Sequence, residues 1–209
     1  MQVITIAQQK GGAGKTTVAA HLAVSLMFAK QRVAIIDIDP QGSLSNWYYI
    51  REKHFGANNT GLNFIACAGW RVENAINNLK GTVDYVIIDA PPHTETESKS
   101  AIRASNLIII PMHLSPTDVW ATSTTIEFAK NENIKAMILL NKYNPHSKLA
   151  KEIIPYVVGD LFKCSLGNRV AFSSCFLNGT TVIESEASSA AAKEVKALCR
   201  EVMDIFKSY

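Results

Sequence analysis

The sequence predicts an α/β protein built on a doubly wound, mostly parallel sheet with helices on both faces. Three observations predict it. Apolar strand segments recur at residues 2–7, 32–38, 83–89 and 107–110, and the core of the second, Val33 to Ile36, is a continuous run, as in a strand covered on both sides. Between them lie longer segments with helical spacing, clearest in residues 188–208, where Val195, Leu198, Val202 and Ile205 share one stripe. Finally, the last three of these strands run into acidic residues or prolines, so their carboxyl ends open into loops, where sheets of this kind bind ligands.

Taken in order, residues 2–7 form the first strand. A Gly-rich turn, residues 8–17 (QQKGGAGKTT), leads into an Ala-rich helix over 18–29. Residues 32–38 form the second strand, which ends in Asp37-Ile38-Asp39-Pro40; a proline continues a strand poorly. A helix over 42–53, a turn at 58–61 and a short third strand at 62–66 follow. Val72, Ala75, Ile76 and Leu79 give residues 70–79 a helical spacing, which Gly81 ends. The fourth strand, 83–89, closes on Asp89 before Ala90-Pro91-Pro92. Residues 95–104 read as a helix, and the fifth strand, 107–110, is stopped by Pro111.

Ser115-Pro116-Thr117-Asp118 starts a helix that runs to about Lys130, with a cap and a first-turn proline. Strand six, 136–140, ends in Asn141-Lys142. Residues 148–158 are helical, with Pro155 kinking or shortening the helix, and 161–165 form a short strand. Residues 169–177 fit no single template. No linker, repeat or low-complexity segment divides the chain, so residues 1–209 are expected to form one domain.

Composition excludes several classes. Hydrophobic residues make up 47% and charged residues 19% of the 209, an ordinary globular balance. No apolar run is long enough to span a bilayer, and the chain opens on a strand rather than a leader, so a cytoplasmic protein is expected. The net charge of +3 is spread evenly, so any nucleic-acid surface must be assembled by folding. The four cysteines form no CxxC pair, which argues against zinc or iron–sulfur ligation.

The chemistry begins in the Gly-rich turn. Strand, Gly-rich turn and helix in that order make a phosphate-binding loop: Gly11, Gly12 and Gly14 let backbone N–H groups, with that of Ala13, face an anion. The helix N-terminus adds its own partial positive charge. Lys15 is placed to reach the outer phosphates, and the Thr16 hydroxyl, beside Thr17, to ligate Mg2+. The usual GxxxxGK[ST] pattern is altered: Gln9 stands at the first glycine, and a second lysine, Lys10, lies inside the loop.

KGGAGKTT is the deviant Walker A motif, and with it the chain resembles the ParA/MinD family of P-loop ATPases. DxDPQGSLSNW at 37–47 and VIIDAPP at 86–92 carry the same resemblance. It implies ATP and Mg2+ as cofactors. Asp89 would hold Mg2+ as a Walker B aspartate, Asp37 would support the metal shell, and Asp39 would position or activate the lytic water. A turn or cap role is the alternative for each. Lys10 would cross a face-to-face dimer to the phosphates of the other subunit; the alternative is a solvated loop lysine. Asn141 would read the adenine edge or act as an ordinary turn residue. Asp118 would belong to a nucleotide-sensing switch or cap a helix.

The tail, 169–206, is similar to the small plasmid-partition members that lack an N-terminal helix-turn-helix. The function implied is an ATPase for DNA segregation that dimerises on ATP, binds DNA without sequence preference and is reset by a ParB-type or small centromere-binding adaptor. Candidate DNA contacts are Lys142, Lys148, Lys151, Arg169, Lys193, Lys196 and Arg200. The alternatives are a MinD-like positioning ATPase and an ATP-dependent ligase of the same fold. The acidic residues Glu194, Glu201 and Asp204 in the final helix weigh against membrane binding.

Overall fold

The structure, a computed structural model, describes residues 1–92 and 96–207. The chain runs β1 (Gln2–Ile6), α1 (Lys15–Phe28), β2 (Val33–Asp37), α2 (Ser43–Phe55), β3 (Asn63–Ala66), α3 (Val72–Asn78), β4 (Tyr85–Asp89) and α4 (Thr96–Arg103). It continues through β5 (Leu107–Met112), α5 (Pro116–Asn131), β6 (Lys135–Tyr143), α6 (Lys148–Ile153), β7 (Asp160–Gly167), α7 (Ala171–Ser174), α8 (Val182–Ser185) and α9 (Ala190–Lys207). Glu95 and Ser208, at the ends of two expected helices, lie outside the described residues.

The seven strands form one sheet in the order β3-β2-β4-β1-β5-β6-β7. Every described pairing is parallel. Alternate residues of the central strands feed two cores. Ile4, Ile6, Ile35, Ile87 and Ile109 face α1 and α9; Val3, Ile36, Val86, Ile88 and Ile110 face the side of α3 and α4. After β1 the chain moves to one side of the sheet for β2 and β3, and after β4 it crosses to the other for β5 to β7. The strand order therefore reverses around β1, and the Gly-rich loop leaves its carboxyl end, where open α/β sheets bind ligands.

Two strand ends differ from expectation. Pro111 does not stop β5, which continues to Met112. In a parallel strand, residues of one parity turn both backbone polar groups to the same neighbour. The Ile109 carbonyl accepts from Ala7 N at 3.1 Å, so Pro111, two residues on, faces the same side beyond the end of β1. No ladder donor is needed there, and the Pro111 carbonyl accepts from Gln8 Nε2 at 3.3 Å instead. Likewise Asn141 lies inside β6, which extends to Tyr143 with register shifts against β7.

The segment that fitted no template is a short helix, α7, followed by a 3-10 turn over Cys175–Asn178. Gly179 ends it at φ 62, in the left-handed region. Its placement comes from distant contacts. The Trp47 indole N–H donates to the Thr180 carbonyl at 3.2 Å. Buried Arg51 donates to the carbonyls of Thr60 and Gly179 and makes a two-pronged ion pair with Glu184. α2 and the chain leading into α8 are thereby tied together.

In α9, Val195, Leu198 and Val202 are buried in the core, with Ile205 packed beside them. The helix also covers strand β7, at one edge of the sheet. The Glu201 carboxylate accepts from the backbone N–H groups of Lys163 at 2.8 Å and Cys164 at 2.7 Å.

Candidate nucleotide-binding site

The Gly-rich loop adopts the conformation its glycines were expected to permit. Gly12 has φ 76 and Gly14 φ 92. At Gly14 a Cβ would also lie 2.3 Å from the Asn141 amide nitrogen, so a side chain is excluded twice over. Asn141 supports the loop: its Nδ2 donates to the Ala13 carbonyl at 2.8 Å, and its Oδ1 accepts from Lys142 N at 3.0 Å.

Lys15 opens α1 and is buried, its Nζ donating to the Gln8 carbonyl at 3.2 Å. Burial lowers its pKa, an effect opposed by the carboxylates of Asp89 and Asp39. One residue on, the Thr16 hydroxyl donates to Asp89 Oδ2 at 2.6 Å. Asp89 is fully buried at the end of β4, and burial pushes its pKa up to about 7 against the opposing Thr16 hydrogen bond. Its other oxygen, Oδ1, is buried without a hydrogen-bond partner among the described residues.

That orphaned oxygen tests the site for a cation. A buried carboxylate oxygen beside a hydroxyl is a hard donor set suited to Mg2+. No cluster of three or more His, Cys, Asp or Glu side chains able to hold a metal occurs among the described residues. Thr16 and Asp89 fit an ion that keeps waters and takes its remaining ligands from a nucleotide.

Asp37 and Asp39 are placed differently from each other. Asp37 Oδ1 accepts from Asp39 N at 3.0 Å, while Oδ2 accepts from Ser45 N at 2.8 Å and Ser45 Oγ at 2.6 Å. Its carboxylate thus shapes the loop into α2. Asp39 Oδ1 accepts from Gln41 N at 2.9 Å, and Oδ2 has no hydrogen-bond partner among the described residues. Asp39 lines a cleft of about 540 Å³ together with Gly11, Gly12, Gly14, Lys15, Thr16, Thr17 and Asn141.

Lys10 does not line this cleft. Its Nζ binds Asp118 Oδ2 and lies 3.1 Å from Thr117 Oγ1, at the N-terminus of α5. Ser115 caps that helix, its hydroxyl accepting from Asp118 N and bonding the Asp118 carboxylate. Asp118 is therefore both part of the helix start and the counter-ion of Lys10.

Sequence reasoning missed two parts of the site. One is Gln8, whose buried side chain joins Thr122 Oγ1 of α5 at 2.9 Å while its backbone carbonyl holds Lys15. The other is the far wall of the cleft: Gly167, Asn168, Arg169, Phe172 and Phe176. Phe176 stacks on His21 of α1, ring centroids 5.7 Å apart, and Phe172 meets the same ring edge-on at 5.2 Å. The only signal in the sequence was an aromatic pair at helical spacing in an otherwise unreadable segment.

A strand–loop–helix with two lysines, a buried aspartate at the neighbouring strand end and a cleft at the strand-order reversal define a nucleotide-binding protein. A family model described as the CobQ/CobB/MinD/ParA nucleotide binding domain matches residues 4–182, and the chain belongs to that family. It is 27% identical to maintenance of carboxysome distribution protein A of Halothiobacillus neapolitanus, over 96% of this chain and 95% of that one. With chromosome partitioning protein ParA of Myxococcus xanthus it shares 25% identity over 97% of this chain and 88% of that one. The fold matches the septum site-determining protein MinD of Pyrococcus horikoshii, solved with Mg-ADP, with a TM-score of 0.82 at 19% identity over 96% of this chain and 95% of that one.

Proposed function

We propose that this protein is a Mg2+-dependent ATPase that dimerises on ATP and uses the cycle to position a cargo, with DNA as the first candidate. One observation carries the reading: Lys15, Thr16 and Asp39 line one cleft, with Asp89 buried behind Thr16 and a second loop lysine held just outside. Lys15 and the loop N–H groups bind the phosphates, and Thr16 and Asp89 hold Mg2+. Mg2+ would neutralise charge on the phosphate oxygens. Asp39 orients the attacking water and accepts its proton through Oδ2. Asp37 acts in support, fixing the loop that carries Asp39. Asn141 is close enough to the cleft to meet the base as well as the loop.

Lys10 supplies the link to dimerisation. Its partners on α5 are in its own chain, and leaving them would free its charge for phosphates bound by a second copy. Charge supports a nucleic-acid cargo. Lys193, Lys196 and Arg200 are exposed along α9, and Lys142, Lys148 and Lys151 are exposed near β6 and α6. A partner protein that stimulates hydrolysis completes the cycle, as in the segregation systems the family resemblance implies. The membrane alternative is weakened by α9, whose apolar stripe is part of the core.

Sedimentation with ATP and Mg2+, repeated with non-specific DNA at low and moderate salt, tests this. A dimer that forms only with ATP and then binds DNA in a salt-sensitive way is expected. A chain that stays monomeric with ATP would overturn the reading.

A further inference from the structure

Resting on that nucleotide reading, we propose that Arg169 is a nucleotide-contacting residue rather than part of a DNA surface, and that Glu194 of α9 is the residue that positions it. Arg169 lines the cleft shared with Lys15 and Asp39. Its guanidinium is clamped by one carboxylate: Nη2 donates to Glu194 Oε1 at 2.6 Å, and Nε lies 3.1 Å from both carboxylate oxygens. Glu194 Oε2 also accepts from Gly167 N at 3.0 Å, so the same side chain fixes the backbone from which the cleft wall begins.

Gly167 completes the arrangement. A Cβ there would stand 3.1 Å from Arg169 Nε and 3.3 Å from Cζ, so the bare glycine lets the guanidinium lie close over the backbone. The clamp uses Nε and Nη2 and leaves Nη1 without a hydrogen-bond partner among the described residues. A planar fork held from behind by a carboxylate, with one N–H2 group unspent, is preorganised to donate to an acceptor on a nucleotide in the cleft.

The same pairing argues against DNA. Affinity for a duplex comes from cations that neutralise phosphates and release counterions. Arg169 is already neutralised by Glu194, whereas Lys193, Lys196 and Arg200 form no ion pair among the described residues. Of the seven basic candidates, Lys142 and Arg169 line the cleft, and of these two only Arg169 has its own counter-ion among the described residues.

The experiment measures Mg-ATP binding by calorimetry and binding to a random-sequence duplex across a salt series, on the full chain. Wild type is compared with Arg169→Ala, Arg169→Lys, Glu194→Gln and the double variant Arg169→Ala/Glu194→Gln. Arg169→Ala is expected to weaken Mg-ATP binding about tenfold, the loss of a charged hydrogen bond, and to leave the DNA salt slope unchanged. Arg169→Lys should also be weakened, because an ammonium cannot fill the fork. The double variant should bind no more weakly than Arg169→Ala alone, since a glutamine oxygen can still accept from Gly167 N and the rest of the Glu194 effect passes through Arg169; a merely structural glutamate would add its own loss.

Wild-type Mg-ATP affinity in both Arg169 variants would overturn the assignment. A DNA salt slope reduced by about one with ATP affinity intact would return Arg169 to the nucleic-acid surface. An additive loss in the double variant would remove the positioning role of Glu194. A wild-type chain that binds no Mg-ATP would remove the nucleotide reading itself, and this inference with it.

Discussion

At the scale of single residues, the site depends on groups whose surroundings oppose their charge. Lys15 is buried with a backbone carbonyl as its hydrogen-bond acceptor and two aspartates nearby, so an incoming phosphate supplies a better partner than the one it has. Lys15→Gln, which keeps a polar end on a side chain one atom shorter but removes the charge, is expected to bind Mg-ATP about 100-fold more weakly by calorimetry. Asp39→Ala should leave binding near wild type and cut turnover by about 100-fold or more in a phosphate-release assay. An Asp39→Ala protein with wild-type turnover would remove Asp39 from the mechanism.

His21 behaves in the opposite sense to a surface histidine. Burial lowers its pKa to about 4, although its ring Nδ1 lies 2.8 Å from the Thr17 carbonyl. A carbonyl can only accept, so Nδ1 carries the proton and Nε2 faces Cys175 Sγ at 3.6 Å. The unfolded chain takes up a proton near pH 6.5, the folded chain only near pH 4. The unfolded state therefore binds more protons within that window, and stability falls as pH drops through it. The loss assigned to this one side chain is about 3 kcal/mol. His21→Leu should flatten that part of the stability profile, measured by urea unfolding at pH 7, 5.5 and 4.5.

At the scale of elements, what could be read depended on how local the cause was. The loop over residues 8–17 and the strand ends at Asp37 and Asp89 were legible because strand, glycines and acidic ends are adjacent in sequence. The cap and first-turn proline of α5 were legible for the same reason. Pro111 was misread because its tolerance depends on which neighbour its backbone faces, and that is set by β1, about a hundred residues earlier. The cleft wall from α7 to Asn178 was unreadable because His21, Trp47 and Arg51, all in earlier helices, hold it.

Gly179 shows how tight that long-range seam is. It has φ 62, and a Cβ would lie 2.2 Å from Arg51 N and 2.4 Å from Arg51 Cα. These are backbone atoms in mid-helix and cannot give way cheaply. Gly179→Ala should destabilise the fold by about 2 kcal/mol or more, combining left-handed strain with overpacking, as a drop in urea midpoint without a change in slope. The cleft wall should loosen with it, so Mg-ATP affinity in this variant should fall too.

At the scale of the molecule, the sheet order places both lysines and all three aspartates at the carboxyl ends of its central strands. Lys10 stands apart because its charge is spent on Asp118 inside one chain. Asp39→Ala with ATP should accumulate as a dimer in sedimentation, since binding is kept and hydrolysis lost. Lys10→Ala should remain monomeric under the same conditions while still binding ATP. The sequence showed that a second lysine was present; only the fold showed where it rests. No helix among the described residues is long and apolar enough to cross a membrane.

The carboxylate that Glu201 of α9 lays against strand β7 bears on how copies of this chain could assemble. An open sheet invites another chain to add a strand wherever a row of backbone donors is left free. Here α9 occupies two of those donors, at Lys163 and Cys164, and Glu194 occupies a third at Gly167. Growth of the sheet from molecule to molecule is blocked along that border. Copies of this chain are then left to meet through surfaces other than this edge.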